Sequence, residues 1–390
     1  MKILFIAPHP FYQDRGTPID VHWAVTALSE RGEEIDLLVY HEGEDRSYPN
    51  VTLHRVKPFF PIKDISFGLS WKKIFTDIFL FFKTVKLIKK NKYDLIHAGE
   101  EAVFIALFIK WVWKIPYVYD MDSLMSRQIL NKHKRFKRFE KLLKYFESVA
   151  VKNAIGVAPV CPALEEDATK MGGKNIISWK DISLKTDLPG NGNTIDIRKK
   201  NGIAGKILMY IGNLEVYQGI DLLVESFAIA SQKTNISLVI IGGSEFNIDK
   251  YKSKSADLGI ADKVYFLGQQ PADQISYYMS QADALVSPRT TGHNTPMKIY
   301  SFLHSGIPVL ATNLYTHTQV VSPEVAVLAE PDNESFAEGI IDVLTNEPLR
   351  KKISAEAVNF IEDEHTYANL KNSVDQLYNS IQSELSSSYE

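Results

Sequence analysis

Hydrophobic and polar positions along this 390-residue chain fall into two alternating patterns, short unbroken apolar runs and longer amphipathic stretches with helical spacing. Lys2–Ala7 is the first run and predicts a buried strand. Pro18–Arg31 follows, placing Val21, Ala24, Val25 and Leu28 on one helical face, with Gly32 as the stop. Thr17-Pro18 is the start signal: a hydroxyl at the cap and a proline where no amide hydrogen is needed. Further strands are expected at Ile35–Tyr40, Val51–Val56, Leu95–His97, Tyr117–Asp120 and Ile155–Ala158, with helical stretches between most of them. Strands this apolar, alternating with amphipathic helices, imply a parallel sheet covered on both faces.

Residues 188–205, opening Leu-Pro-Gly-Asn-Gly-Asn, interrupt the pattern and read as a turn-rich linker. The alternation then begins afresh. Strands are expected at Ile207–Ile211, Ser237–Ile241, Val264–Leu267, Asp283–Val286 and Pro308–Ala311, and helices at Ile220–Ser231 and Pro296–His304. From Glu334 the pattern is helical to about Tyr378, and the serines at 386–388 suit a frayed tail. The expected fold is therefore α/β: two doubly wound, Rossmann-like domains, 1–187 and 206–365, facing across a ligand cleft at the carboxyl ends of their strands. A chain this long also exceeds one ordinary core.

Composition narrows the class. With 23% charged and 45% hydrophobic residues the chain is a globular protein, and extensive disorder is excluded. The single cysteine, Cys161, excludes a disulfide framework and a cysteine zinc cage, and suits a reducing cytoplasm. The apolar start of the chain is too short for a signal peptide, and Lys110, Lys114 and Pro116 interrupt the most apolar run, Ala102–Tyr119, against a spanning helix. Net charge is +6 over residues 1–187 and −9 over 188–390. The basic half can attract phosphates or anionic lipid, the acidic half argues against a nucleic-acid partner, and an ordinary surface fluctuation gives the same numbers. Two basic stretches stand out. Trp71–Lys92 interleaves seven lysines with Phe79, Phe81 and Phe82, and Lys132–Lys144 holds seven Lys or Arg against Glu140 alone. Each fits peripheral docking on an anionic membrane, and each also fits a core helix with a solvated basic face.

Three segments could carry chemistry. In Arg15-Gly16-Thr17-Pro18, the glycine allows close backbone approach and the helix start offers amide hydrogens to an anion. In Asp120-Met121-Asp122, two carboxylates at a strand end could hold a divalent cation on a nucleotide diphosphate, or Asp122 could simply cap a helix. The richest segment runs from Ser287 to Ser301. Thr295-Pro296 repeats the helix-start signal, Arg289 precedes the loop, and Lys298 sits in the first helical turn. A lysine there opposes the helix dipole, which makes sense if an anion binds beside it.

Further segments occur in a fixed order: Tyr210-Ile211-Gly212-Asn213-Leu214, Gly219-Ile220-Asp221, Ile240-Ile241-Gly242-Gly243, Phe266-Leu267-Gly268, the run from Ala282 to Pro288, and the run from Ser305 to Thr312. Their order and spacing resemble family 4 retaining glycosyltransferases of the GT-B fold. Asp94-Leu95-Ile96-His97 and Pro116 to Asp120 resemble the acceptor domain. The resemblance implies transfer of a sugar from a nucleotide-diphosphate donor, held by the second domain, to an acceptor on the first. It implies no metal or other cofactor, and a final segment, 366–390, that crosses back to the first domain. The family's usual pair of glutamates is absent: His293 and Ser301 occupy those positions. Asn213 and Gln218 replace the usual diphosphate-binding cations, and Asp122 replaces a histidine. A branch reading Asn-Thr-Pro-x-Lys would use a variant grip.

The resulting expectation is a cytoplasmic transferase, peripheral on the inner membrane face, acting on a cell-envelope or exported polysaccharide acceptor, free or lipid-linked. Asp122, Lys298 and Arg289 carry the chemistry. Gly16, Thr17, Gly212, Asn213, Gln218, Gly242, Gly243, His293, Asn294, Thr295, Met297 and Ser301 bind the donor. The rival expectation is a non-catalytic partner or scaffold that kept the fold and lost the donor. A metal-dependent transferase using Asp120 and Asp122, and a hydrolase or phosphorylase on the same architecture, also stay open.

Overall fold

The computed structural model describes residues 1–13, 16–59, 62, 65, 70–132, 134–184 and 196–387. It contains two compact units: Met1–Asp181 with Tyr367–Glu390, and Ile182–Thr366. Each is a twisted parallel sheet between helices, as the unbroken apolar strands require.

The first unit runs β1 (Lys2–Ile6), α1 (Thr17–Glu30), β2 (Glu34–Val39), β3 (Val51–Arg55), α2 (Trp71–Lys90), β4 (Leu95–Gly99) and α3 (Ala102–Trp113). It continues with β5 (Tyr117–Met121), α4 (Met125–Lys132), a 3-10 segment Lys134–Phe139, α5 (Glu140–Asn153), β6 (Gly156–Pro159) and α6 (Pro162–Lys170). Strand order is β3-β2-β1-β4-β5-β6, with Ile3 paired to Ile35 on one side and to Leu95 on the other. Helix α1 begins one residue earlier than its start signal suggests. Gly16, at φ 42°, is the cap, and Thr17 lies inside the first turn with no capping bond from its side chain.

The second unit contains α7 (Ile197–Asn201), β7 (Lys206–Ile211), α8 (Ile220–Lys233), β8 (Ile236–Ile241), α9 (Glu245–Asp257), β9 (Val264–Gly268) and α10 (Ile275–Met279). Then come β10 (Ala284–Ser287), α11 (Lys298–His304), β11 (Val309–Thr312), α12 (Tyr315–Thr318), β12 (Val327–Ala329), α13 (Asn333–Thr345) and α14 (Glu347–Glu364). The order is β12-β11-β10-β7-β8-β9. Alternation along β7 serves both faces: Leu208 and Tyr210 join the core under α8 and α13, while Ile207 and Met209 join the one containing Ile299, Leu303 and Ile361. The helix expected to start at Pro296 starts at Lys298, because residues 294–297 remain loop.

Two segments depart from the pattern read in the sequence. Within the linker at 188–205, residues 188–195 lie outside the described residues, and the remainder holds α7, capped by the Asp196 side chain accepting from the Lys199 amide. The helical tract after Glu334 is three helices, because Asp332 caps the first and Asn346 the second. The third, α15 (Tyr367–Ser387), belongs to the first unit. Arg31, just after α1, donates to Asp375 at 2.8 Å, to Gln382 at 2.9 Å and to Asn379, all on α15. The Tyr378 hydroxyl meets buried His97 at 2.8 Å.

Candidate donor site at the switch point of the second sheet

In the second sheet the chain leaves β7 toward β8 on one side and β10 toward β11 on the other. Such a reversal opens a crevice at the carboxyl ends of the two central strands, where open α/β sheets bind ligands. The loop after β7 contains Gly212, Asn213 and the 3-10 turn Val216–Gln218, and the loop after β10 contains Arg289 to Met297. The two loops touch closely at Gly219, whose φ is 73°. A side chain there would collide with the Pro288 carbonyl, with Cβ and oxygen only 1.9 Å apart, so glycine is obligatory on both counts.

Lys298, the first residue of α11, reaches back to the β7 loop. Its Nζ donates to the Ile211 carbonyl at 3.2 Å and the Gln218 Oε1 at 3.3 Å, and stands 4.1 Å from the centre of the Tyr210 ring. The open side of Gly212 faces this ammonium. Arg289 donates from Nη1 to the Asn294 carbonyl at 2.9 Å and to Thr316 Oγ1 at 3.4 Å, with its guanidinium 5.2 Å from the Tyr217 ring centre. Its Nε–H is buried and has no partner among the described residues. Neither cation meets a carboxylate among the described residues. Burial, and then the charge of Arg289, pull the Lys298 ammonium down to about 7, and burial also lowers the Arg289 guanidinium. Two desolvated cations without a counter-charge among the described residues are an arrangement that a bound anion would complete.

Several residues expected to touch a donor make other contacts. Gln218 holds Lys298. Asn213 is used in its own turn: its Nδ2 donates to the Tyr217 hydroxyl, its Oδ1 accepts from the Glu215 amide, and its carbonyl accepts from Tyr210. Gly242 packs on the Gly212 carbonyl and Gly243 on Leu214, so their missing side chains admit this chain's own loop. Ser301 Oγ accepts from the Leu184 amide at 3.0 Å. The His293 ring lies 5.9 Å from that of Tyr315, and the His293 carbonyl accepts from Gln319. The Asn294 carbonyl is the shared acceptor of Arg289 and Thr316. Thr295 does not cap the helix; its hydroxyl is buried and unpartnered among the described residues, and Met297 sits half-buried at the cap position. The sequence reading missed Tyr210 and Tyr217, whose rings face the two cations; an aromatic residue beside each glycine turn was the available signal.

The first unit gathers acids at the carboxyl end of its own sheet. Asp122 is buried, and burial together with the nearby Asp120, Asp20, Glu100 and Asp181 carboxylates pushes its carboxyl well above the ordinary range. Asp20 and Asp181 share a hydrogen bond, and burial lifts Asp181 to about 7. Asp120 Oδ2 instead pairs with His97 Nε2 at 3.1 Å, with the His97 ring stacked 4.2 Å from Phe5 and 5.2 Å from Trp179. Asp120 is thus occupied by the core, and no group of three or more His, Cys, Asp or Glu is arranged as a metal site among the described residues. Gly16 caps α1 and Thr17 is half-buried beside it, while Arg15 lies outside the described residues.

The two basic stretches also gain a shape. On α2, Trp71, Ile74, Ile78 and Phe82 form an exposed stripe, with Trp71 71% exposed. Phe81 meets Phe108 of α3 at 5.4 Å between ring centres, joining this stripe to exposed Phe108, Trp111 and Val112. Lys86, Lys89 and Lys90 are exposed along α2. The second stretch exposes Phe139 and Leu142, and Tyr145 and Phe146 just beyond it on α5 are exposed too. No helix among the described residues is long and apolar enough to cross a membrane.

Residues 193–360 match the family described as glycosyl transferases group 1. The chain is 23% identical over 383 residues to an uncharacterized glycosyltransferase of Methanocaldococcus jannaschii, covering 93% of this chain and 94% of that protein. Sucrose-phosphate synthase from Thermosynechococcus elongatus has the same fold, with a TM-score of 0.80 at 18% identity, covering 98% of this chain and 99% of the other. Anabaena HepE in complex with UDP follows, with a TM-score of 0.75 at 16% identity over 97% of this chain and 100% of that one. The fold is GT-B. With its group 1 region and a relative named as a glycosyltransferase, the chain is a glycosyltransferase enzyme.

Proposed function

We propose that this enzyme, as a family 4 member, moves a sugar from a nucleotide-diphosphate sugar to a lipid-linked acceptor of cell-envelope or exported polysaccharide, retaining the anomeric configuration and using no metal ion. The observation that carries the reading is the uncompensated pair Arg289 and Lys298 at the switch point of the second sheet. A diphosphate would supply the missing counter-charge. A fold relative solved with UDP supports a nucleotide diphosphate as its source.

The acceptor hydroxyl attacks the anomeric carbon on the face the diphosphate leaves. The carbon–oxygen bond to phosphate breaks, and the hydroxyl proton passes to the departing phosphate. The protein's contribution is then position and charge stabilisation. Arg289 and Lys298 take the charge on the diphosphate, and the unpartnered Thr295 hydroxyl donates to a ligand oxygen. Tyr210 and Tyr217 keep both cations in place from behind. In the first unit Asp122, whose carboxyl burial and neighbouring carboxylates push well above the ordinary range, meets the acceptor beside Gly16 and Thr17. The exposed aromatic face of α2 and α3, with its lysines, supports peripheral contact with an anionic membrane where such an acceptor would reside.

A thermal-shift screen against nucleotide sugars tests this reading, since a ligand at about 1,000 times its Kd adds about 4 kcal/mol to apparent stability. The expected result is a clear shift with at least one donor and transfer activity that survives EDTA. A flat response to the whole panel would sink it.

A further inference from the structure

The segment that follows β11 grips the loop after β10. His317 is fully buried, with Nε2 2.9 Å from Ser287 Oγ and Nδ1 2.9 Å from Thr312 Oγ1 and 3.1 Å from the Thr312 carbonyl. A carbonyl only accepts, so Nδ1 carries the ring hydrogen and Nε2 accepts from the Ser287 hydroxyl. Thr312 Oγ1 receives the Nδ1 hydrogen on a lone pair and directs its own hydrogen to the Arg289 carbonyl at 2.6 Å. One turn later the Thr316 hydroxyl donates to the Asn294 carbonyl at 2.8 Å and accepts from Arg289 Nη1. Gln319 Nε2 donates to the His293 carbonyl at 2.7 Å. The Nδ1 hydrogen is shared by the two Thr312 oxygens, the hydroxyl hydrogens of Ser287, Thr312 and Thr316 each have one direction, and three carbonyls of residues 289–294 are held at defined points.

We propose that Thr312, Thr316 and Gln319, ordered by His317, are positioning residues that set the 289–294 loop so that Arg289 presents its guanidinium to a pyrophosphate group. None of the four was read as a site residue in the sequence, and none touches the cation pair's proposed ligand; they act through the loop. The grip on pyrophosphate rests on the donor reading above, whereas the hold on the loop does not.

Thr312→Val keeps the side chain's shape and removes the hydrogen bond to Arg289; Thr316→Val does the same for Asn294, and a melt confirms that each variant folds. Amide hydrogen exchange reads the loop directly, and calorimetry with inorganic pyrophosphate reads the grip. Loss of one such bond corresponds to about a tenfold change. The expected result is exchange about tenfold faster at 289–297 alone, pyrophosphate affinity about tenfold weaker, and both restored in Thr312→Ser. Unchanged loop exchange in both valine variants would overturn the clamp, whatever the affinity. A loosened loop in a protein whose wild type binds no pyrophosphate would instead overturn the donor reading and the clamp's part in it.

Discussion

At Lys298 an ammonium is balanced by a carbonyl, an amide oxygen and an aromatic face, none of which carries a full negative charge. A cation over a desolvated ring gains about 2 kcal/mol, which holds the side chain in place without neutralising it. Lys298→Ala is therefore expected to lower turnover at least tenfold, about 1.4 kcal/mol in the barrier, while the melting temperature stays level or rises. Steady-state kinetics and a thermal melt check both halves. The lowered pKa, about 7, adds a second expectation. In the free protein the amine is largely neutral at pH 8.5, and a bound diphosphate restores its charge. Diphosphate binding should therefore take up about one proton at pH 8.5 and little at pH 6, and weaken as pH rises through 7. Calorimetry in two buffers of different ionisation heat measures it; equal uptake at both pH values would remove Lys298 from the site. The sequence flagged Lys298 and Arg289 because both flank a helix start. It gave no sign that Gln218 accepts from Lys298, that Ser301 accepts from the Leu184 amide or that Asn213 bonds within its own turn, because side-chain hydrogen bonds leave no pattern in spacing.

Elements were legible wherever hydrophobic periodicity decided them. The strands of both sheets fall within a residue or two of their expected limits, apart from β12, three residues with only one fully buried and no run long enough to register. Caps were less legible. Thr17-Pro18 and Thr295-Pro296 look alike, yet one lies within the first turn and the other stays in a loop, because Asn294 is held by Arg289 and Thr316. Helix α15 shows what distance in sequence hides. Its register against α1 depends on Arg31, which makes three side-chain bonds to it. Arg31→Ala should cost the first unit about 2 kcal/mol, since charge-assisted bonds contribute about 1.5–3 kcal/mol each and part is recovered by water. All five tryptophans lie in that unit, so urea unfolding followed by their fluorescence reports the loss without interference from the second.

For the molecule as a whole, the two units answer pH differently. In the first, burial raises Asp181 to about 7 and Glu101 to about 8, and raises Asp122 as well. A raised carboxyl stabilises the fold below its unfolded value near 4 and loses that contribution as pH climbs through the folded one. In the second, Lys298 is lowered, so the unfolded chain binds more protons between about 7 and 10.5 and stability grows with pH there. From pH 6 to 8.5 the tryptophan-reported transition should therefore fall while that of the second unit holds or rises. Parallel decline of both in calorimetry would contradict it. The proposed membrane contact belongs to this scale too. Trp71→Ser with Trp111→Ser removes two exposed aromatic anchors, each providing about 1.5–3 kcal/mol on burial, and should lower binding to anionic vesicles at least tenfold in a sedimentation assay. Binding equal to wild type would leave that face without a membrane role.

Periodicity alone determined that this chain forms two parallel sheets layered by helices, because burying an apolar strand on both faces admits few other solutions. Glycine turns and a pair of cations near strand ends also pointed to the loops after β7 and β10, the site proposed for an anion. Which hydrogen bonds hold those cations, that Asp120 belongs to the His97 core and that Thr312 to Gln319 restrain a loop some twenty residues earlier were decided only in three dimensions. The physical reason is range: burial and helical period act between neighbours in sequence and repeat, whereas a hydrogen bond is a single short contact whose partner can come from any part of the fold.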